Sequence, residues 1–329
     1  MPSTTLLTRP NPLELFDWAE QTAAPCGIAI PQSFVDGRID TELIEEFVPR
    51  AEDLGYHSLW TGESILGASD SLEPIGLLSY VAALTESIRL GTAVVIATNR
   101  NPVQLAKAFG TLDQLSNGRL IVGMAIGGDP GRYPLFGAPS ERRVRHFVEG
   151  LEVMKALWQQ PQASYDGHFY TLEGETMEPK PVQKPHPPVW LGGRHPDALR
   201  RAVRHADGWM GAGGTSTEQF RAHVEIVRES LADSGRDPAS FTIAKRVYLA
   251  IDDDADRAER RLRDWFGLTY GSQDMGSRVS VWGSVSRCIE GVSEVVEAGA
   301  QMLLLNPVFD EMMHLEALHD EVIPNLPRP

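Results

Sequence analysis

Residues 88–129 read IRLGTAVVIATNRNPVQLAKAFGTLDQLSNGRLIVGMAIGGD, and this stretch limits the fold more tightly than any other. Ile88–Ala97 is a continuous apolar, β-branched run, which predicts a strand buried on both faces. Asn101 then offers a side-chain cap, and Pro102 occupies a first helical position, where a missing N–H costs nothing. Val103, Leu105, Ala106, Phe109, Gly110, Leu112 and Leu115 recur at helical spacing. Asn117-Gly118 closes the helix, because both residues tolerate the left-handed conformation. Leu120–Ile126 is the next buried strand and runs into Gly127-Gly128-Asp129. The stretch is a parallel βαβ unit whose second strand ends in a bare glycine loop, and parallel α/β folds bind ligands at that end.

The same alternation extends through most of the chain. Residues 1–25 are Thr-, Pro- and polar-rich and read as an N-terminal arm outside the core, so the folded domain is predicted over 26–329. Cys26–Pro31 is a first strand, Asp40-Thr41 opens a helix, and Ser58–Thr61 is a second strand ending in Gly62-Glu63-Ser64. Pro74–Thr85 leads into the central unit. Ser140 is expected to cap a long helix through Trp158, with Glu149 and Glu152 on its solvated face. Asp166-Gly167 between two short strand-like runs predicts a hairpin over Ala163–Leu172. Further strands are expected at Val189–Leu191, Asp207–Ala212, Phe241–Ile251 and Met302–Asn306, with helices between them and a Gly/Ser-rich loop over Gly267–Val281. About eight strand–helix repeats in 329 residues fit a (β/α)8 TIM barrel with a hairpin insertion between units four and five. A doubly wound open sheet is the alternative, and it needs fewer units.

Charge and cysteine usage exclude several function classes. With 45 acidic against 30 basic residues the net charge is −15, which repels phosphate backbones and speaks against nucleic-acid binding. No apolar run is long enough to span a membrane. Cys26 and Cys288 lie far apart without metal or redox spacing, and no export signal is visible, so a reduced, cytoplasmic protein is expected. There is no P-loop, GxSxG elbow, HExxH or GxGxxG after the first strand, and the nine histidines show no metal-ligand spacing.

What remains is a set of strand ends that converge on one face. Gly127-Gly128-Asp129 ends strand four, Gly192-Gly193-Arg194 strand five, and Gly211 to Gly214 strand six. Each cluster alone serves a tight βα turn equally well; three in consecutive units also leave room for a large planar ligand. Gly192-Gly193-Arg194 followed by a helix start at Pro196 combines backbone N–H groups, a helix dipole and a guanidinium, as an anion site would.

LGTAV, NRNP, LAK, TLDQLSNGRLIVGMAIGG and the later RRVRHFVEGLEVMKALW, YDGHFYTL, PPVWLGG and ALRRAVRHADGWMG together resemble the luciferase-like flavin or deazaflavin oxidoreductases. These are TIM barrels related to bacterial luciferase, and the resemblance covers Cys26 to Asn306. It implies FMN or coenzyme F420 as cofactor, a small-molecule substrate, hydride transfer with oxygen insertion open to FMN, and a homodimer through helices near strands two to four. F420-dependent dehydrogenation without oxygen chemistry, or flavin binding without turnover, are the alternatives. The resemblance places the cofactor phosphate at the strand-five loop and the ring against a bulge at Ala93-Val94. It thereby implies Ser64, Ala93, Val94, Ile126, Gly127, Gly128, Gly192, Gly193, Arg194 and Gly211 as cofactor-binding residues. Glu63-Ser64 stands where many deazaflavin-using members carry Asp-His, Ile126 where some have Thr, and Gly128 where some have Glu. Glu63 and Asp129 are then the carboxylates left at strand ends two and four, and they are the expected acid–base residues. The mouth is expected to be shaped by Pro130–Pro139, by the hairpin and by Gly267–Ser280.

Overall fold

A computed structural model describes residues 24–34, 37–67, 69–127 and 129–329. The predicted arm over 1–25 therefore lies almost wholly outside the described residues, and Gly128 lies outside them too. Eight parallel strands close on themselves: β1 (Cys26–Ala29), β2 (Ser58–Thr61), β3 (Arg89–Thr92), β4 (Leu120–Ala125), β5 (Val189–Gly192), β6 (Gly208–Gly211), β7 (Thr242–Ile251) and β8 (Met302–Pro307). Each pairs with the next in sequence order, and β8 returns to β1 through Cys26↔Leu303. The open-sheet alternative is thereby excluded. Helices α1 (Thr41–Asp53), α2 (Pro74–Leu84), α3 (Pro102–Leu115), α4 (Arg143–Gln159), α5 (Pro196–His205) and α6 (Thr217–Asp233) follow the first six strands. After β7 come α7 (Ala255–Tyr270), α8 (Gln273–Val279), a short parallel strand Val281–Gly283 and α9 (Val285–Glu297); α10 (Glu311–Ala317) follows β8.

Two tryptophans fill the barrel interior. Trp60 of β2 and Trp190 of β5 stack with centroids 5.3 Å apart, amid Ala29, Ile121, Met210 and Leu304. Indoles fit there because the facing strands carry glycine: a Cβ on Gly91 would sit 2.3 Å from the Trp60 ring. This is a packed core, as barrels of this size require, and it leaves the strand ends free for a site.

The long strand predicted over Ile88–Ala97 is broken. β3 stops at Thr92, and Val95–Ile96 resumes pairing with β4 only after a cis peptide at Ala93-Val94. Across the break the Thr92 hydroxyl takes over from the ladder, donating to Gly123 O (2.7 Å) and accepting from Gly123 N (2.9 Å). An apolar run alone does not reveal such a substitution of side chain for backbone.

Four further expectations are corrected. α4 begins at Arg143, with Arg142 at φ 51° as its cap residue, and Ser140 instead donates to Pro130 O. Glu149 is buried rather than solvated, pairing with Arg145 and accepting from Phe169 N of the insertion. The predicted loop over Gly267–Val281 is mostly helical: α7 runs to Tyr270, Gly271 turns at φ 66°, and α8 follows. Between α4 and β5, strands Ala163–Asp166 and Thr171–Glu175 pair antiparallel in the register Asp166↔Thr171, so four residues and not Asp166-Gly167 make the turn. Among the described residues no helix is long and apolar enough to cross a membrane.

The NGR triplet serves the opposite end of the barrel from the glycine loops. Arg119 is buried and donates to Ser116 O, Thr85 Oγ1, Ile88 O, Ala82 O and Thr85 O, satisfying carbonyls at the end of α2 that the helix itself leaves open. Asp113 beside it accepts from the backbone and side chain of Gln183, tying the proline-rich connector to α3. Replacing Arg119 by Met keeps the stem but strands these acceptors. A loss of about 3 kcal/mol or more in denaturant unfolding is expected, since each buried unmet group costs ~1–3 kcal/mol; a loss under about 1 kcal/mol would contradict this role.

Candidate active site

The C-terminal ends of β3 to β7 surround one cavity of about 690 Å³. Its floor is the break in β3: Ala93 and Val94 line it, and Ala93 N is held by Thr61 O at 2.6 Å. Ala125, Ile126 and Gly127 come from the end of β4; Tyr133, buried beneath the following loop, donates to Ile126 O (2.9 Å) and pins that turn. Gly192, Gly193, Arg194 and His195 come from β5, and Met210 through Gly214 from β6. Seven residues of the expected cofactor set thus meet at the cavity with Arg194 as the eighth: Ala93, Val94, Ile126, Gly127, Gly192, Gly193 and Gly211.

The glycines serve packing as well as openness. A Cβ on Gly193 would lie 2.7 Å from Ala198 Cβ, one on Gly211 2.7 Å from Phe220, and one on Gly213 2.5 Å from Tyr248. They allow α5, α6 and β7 to approach the strand ends, and the cavity wall is backbone as a result. Substituting Gly193 would therefore disturb α5 along with any ligand. The start of α5 is also partly spoken for, since His195 Nδ1 accepts from Asp197 N (3.2 Å). Trp209 donates to Gly193 O (2.9 Å) and fixes the loop, while the N–H groups of Arg194 and His195 have no partner among the described residues.

Three expected residues face elsewhere. The Glu63 carboxylate is fully enclosed, accepting from Ile96 N and from Arg100, whose Nε lies 3.0 Å away. Burial pushes its carboxyl up against the opposing pull of Arg100. Glu63 thus holds the segment after the β3 break in place, and it does not line the cavity. Asp129 is exposed, accepts from Gly131 N (3.0 Å) and lies 3.4 Å from Arg132. Neither carboxylate, nor exposed Ser64, is brought to the cavity. The hairpin is not at the mouth either, because it packs on α4 through Tyr165–Glu152 and Tyr170–His146 hydrogen bonds.

The polar groups that do face the cavity come from positions the sequence reading did not select. Arg246 of β7 reaches across the barrel mouth, donating through Nε to Asn306 Oδ1 (2.6 Å) and through Nη1 to Ala93 O (3.1 Å). Its guanidinium lies over the Tyr248 ring at 4.9 Å, and the Tyr248 and Tyr270 hydroxyls are 2.6 Å apart. Buried Lys245 next to it donates to Ala212 O (2.6 Å), Thr215 O (3.0 Å) and Thr215 Oγ1 (3.1 Å), bracing the β6 loop. Burial, with Arg246 alongside, pushes its ammonium down to about 7. Arg143 and Arg201 complete the wall between α4 and α5. The signal for β7 was present in the sequence: Lys245-Arg246 interrupts an otherwise apolar strand, and a charge there needs a reason. Among the described residues no group of acidic, His and Cys side chains could hold a metal.

With this geometry in hand, known proteins give a consistent picture. Over 258 residues the chain is 28% identical to an F420-dependent glucose-6-phosphate dehydrogenase of Kineococcus radiotolerans, covering 76% of this chain and 74% of that one. Over 172 residues it is 31% identical to an FMNH2-dependent dimethylsulfone monooxygenase of Pseudomonas putida, covering 51% and 47%. Among solved structures, an F420-dependent secondary alcohol dehydrogenase superposes with a TM-score of 0.80 at 20% identity, over 92% of this chain and 99% of that one. The FMN-bound oxygenating constituent of a diketocamphane monooxygenase of Pseudomonas putida does so at 0.74 and 17% identity, over 93% and 100%. At such identities the superpositions speak for the barrel alone. The family model for luciferase-like monooxygenases matches residues 31–274, and the chain belongs to that family.

Proposed function

We propose that the protein is an oxidoreductase that binds FMN or F420 in the cavity at the ends of β3 to β7 and acts on a small organic substrate. The observation that carries this reading is the convergence of a backbone-walled cavity, the β3 break and the Gly193–His195 loop with its Arg194 guanidinium in one place. When bound, the cofactor supplies hydride transfer, with oxygen chemistry open to reduced FMN. The chain's own groups supply position and electrostatics. Val94 and Ala93 offer a flat apolar wall to a ring. Arg194 and the N–H groups of Arg194 and His195 suit a phosphate. Tyr270, oriented by Tyr248, is the hydroxyl that can donate to a substrate oxygen, and Met275 and Tyr248 make the facing wall apolar. With no carboxylate beside Ala93-Val94, proton transfer falls to Tyr270 or solvent. The reading includes a cytoplasmic homodimer, supported by exposed Tyr80 and Val103 on α2 and α3 and by two buried, unpaired cysteines.

Titration of the purified protein with FMN, F420 and riboflavin tests the cofactor site. FMN should bind more tightly than riboflavin by about tenfold to a hundredfold, the worth of a charge-assisted phosphate contact. Arg194→Ala should narrow that gap without disturbing α5. Equal binding of riboflavin and FMN would remove the phosphate from this loop. Turnover with reduced FMN and oxygen, and separately with F420, then assigns the cofactor.

Glu63 provides a second test, because a positioning role and a proton-transfer role differ in what they move. Glu63→Gln can still accept from Ile96 N but loses the ion pair with Arg100. The variant should melt earlier and bind cofactor more weakly, with the pH profile of kcat unchanged. Unaltered melting together with loss of one limb of that profile would return Glu63 to the chemistry.

A further inference from the structure

The cavity holds more positive charge than one phosphate requires. Arg143, Arg194, Arg201 and Arg246 line it, against a single carboxylate, Asp197, in a protein whose net charge is −15. Asp197 is itself engaged, by Arg200 at 3.1 Å and His195 at 3.6 Å. Arg246 is committed to Asn306 and Ala93. Arg143 and Arg201 are different: neither forms an ion pair or hydrogen bond among the described residues, and both are half-buried. Burial lowers the Arg201 guanidinium, and the nearby Arg143 charge lowers it further, against Asp197. Two like charges on separate helices, offset only by Asp197, which Arg200 and His195 also engage, favour an anion beside them.

The two cationic groups also sit on different elements. Arg194 lies on the strand-end loop, where its charge is felt by His223 of α6. Arg201 lies one helical turn beyond Asp197 on α5, about 6 Å further from the strand ends at ~1.5 Å per residue. Arg143 meets it from the first turn of α4. The cavity lining therefore includes the apolar wall at Val94, the loop at Gly193–His195 and, apart from both, the Arg143–Arg201 pair. FMN carries one phosphate, for which the N–H groups and guanidinium of the Gly193–His195 loop suffice. F420 continues past its phosphodiester into an oligoglutamate tail bearing several carboxylates.

We propose that Arg143 and Arg201 form a second anion subsite, which takes the tail carboxylates of F420 while the Gly193–His195 loop takes its phosphodiester. The inference rests on the cavity being the cofactor site. A planar guanidinium pair suits carboxylates geometrically, since each can accept two parallel N–H bonds.

The test is fluorescence titration of the unmodified protein, Arg143→Gln, Arg201→Gln and the double variant with diglutamyl F420 and with the tail-free form. In the unmodified protein the diglutamyl form should bind about tenfold to a hundredfold more tightly than the tail-free form. The double variant should lose that difference, bind the tail-free form unchanged, and show a shallower dependence of affinity on salt. Circular dichroism and FMN binding at the unmodified level establish that the variants are folded. An equal loss for both forms would assign the pair to the phosphodiester, and no loss for either would leave it without a ligand; each overturns the proposal. If the unmodified protein binds FMN and neither F420 form, the second subsite is refuted while the cofactor cavity stands. Failure to bind any of these cofactors would refute the cavity itself.

Discussion

The close approach of β3 to β4 at Thr92 is the constraint on which the site depends. Thr92 O lies where a Cβ of Gly123 would be, 1.7 Å from it, so only glycine admits this approach. With the strands that close, the Thr92 side chain rather than the backbone satisfies Gly123, and β3 is free to turn away. The segment that turns is then caught from three sides. Thr61 O of β2 holds Ala93 N, Arg246 of β7 holds Ala93 O, and Glu63 holds Ile96 N. Val94 is left against Gly192, whose missing side chain would otherwise come within 3.1 Å of it. Four strand ends thus share one backbone feature, and a shift in any of them moves the cavity floor.

Electrostatics separates the site from the surface around it. The exterior carries the excess of acids, whereas the cavity concentrates arginine and holds its one carboxylate in other partnerships. A polyanionic cofactor would be repelled by the outer surface and held inside, an arrangement that favours retention over rapid exchange. Lys245 adds to this from below without touching the cavity. Its three acceptors belong to the β6 loop, and the ammonium form has three N–H groups to offer them.

The parts of this organisation that were legible in the sequence are those written in period and punctuation. The helix start at Asn101-Pro102, the close at Asn117-Gly118 and the glycine ends of β4, β5 and β6 each mark a local backbone requirement. The family resemblance added the Ala93-Val94 bulge, which the apolar run around it conceals. The directions of side chains were not legible. Glu63 stands at a strand end as expected, but whether it points inward depends on Ile96 and Arg100, which the break in β3 brings to it. Arg143 and Arg201 occupy helices rich in other arginines and look solvated until the two helices are laid side by side. Tyr270 fell in a Gly/Ser-rich stretch read as a loop, because one left-handed glycine separates two short helical pieces. The LDQLSNGR segment shows the reverse case. It carries much of the resemblance, yet Asp113 and Arg119 brace the end of the barrel away from the site.

The central claim is that the β3 break backs the cofactor ring while the β5 loop holds its phosphate. A structure of the protein with FMN or F420 bound tests this most directly. The account predicts the ring in contact with Val94 and a phosphate oxygen within hydrogen-bond distance of the Arg194 or His195 N–H. A ring bound away from Ala93-Val94, or a phosphate with no contact to residues 193–195, would contradict it.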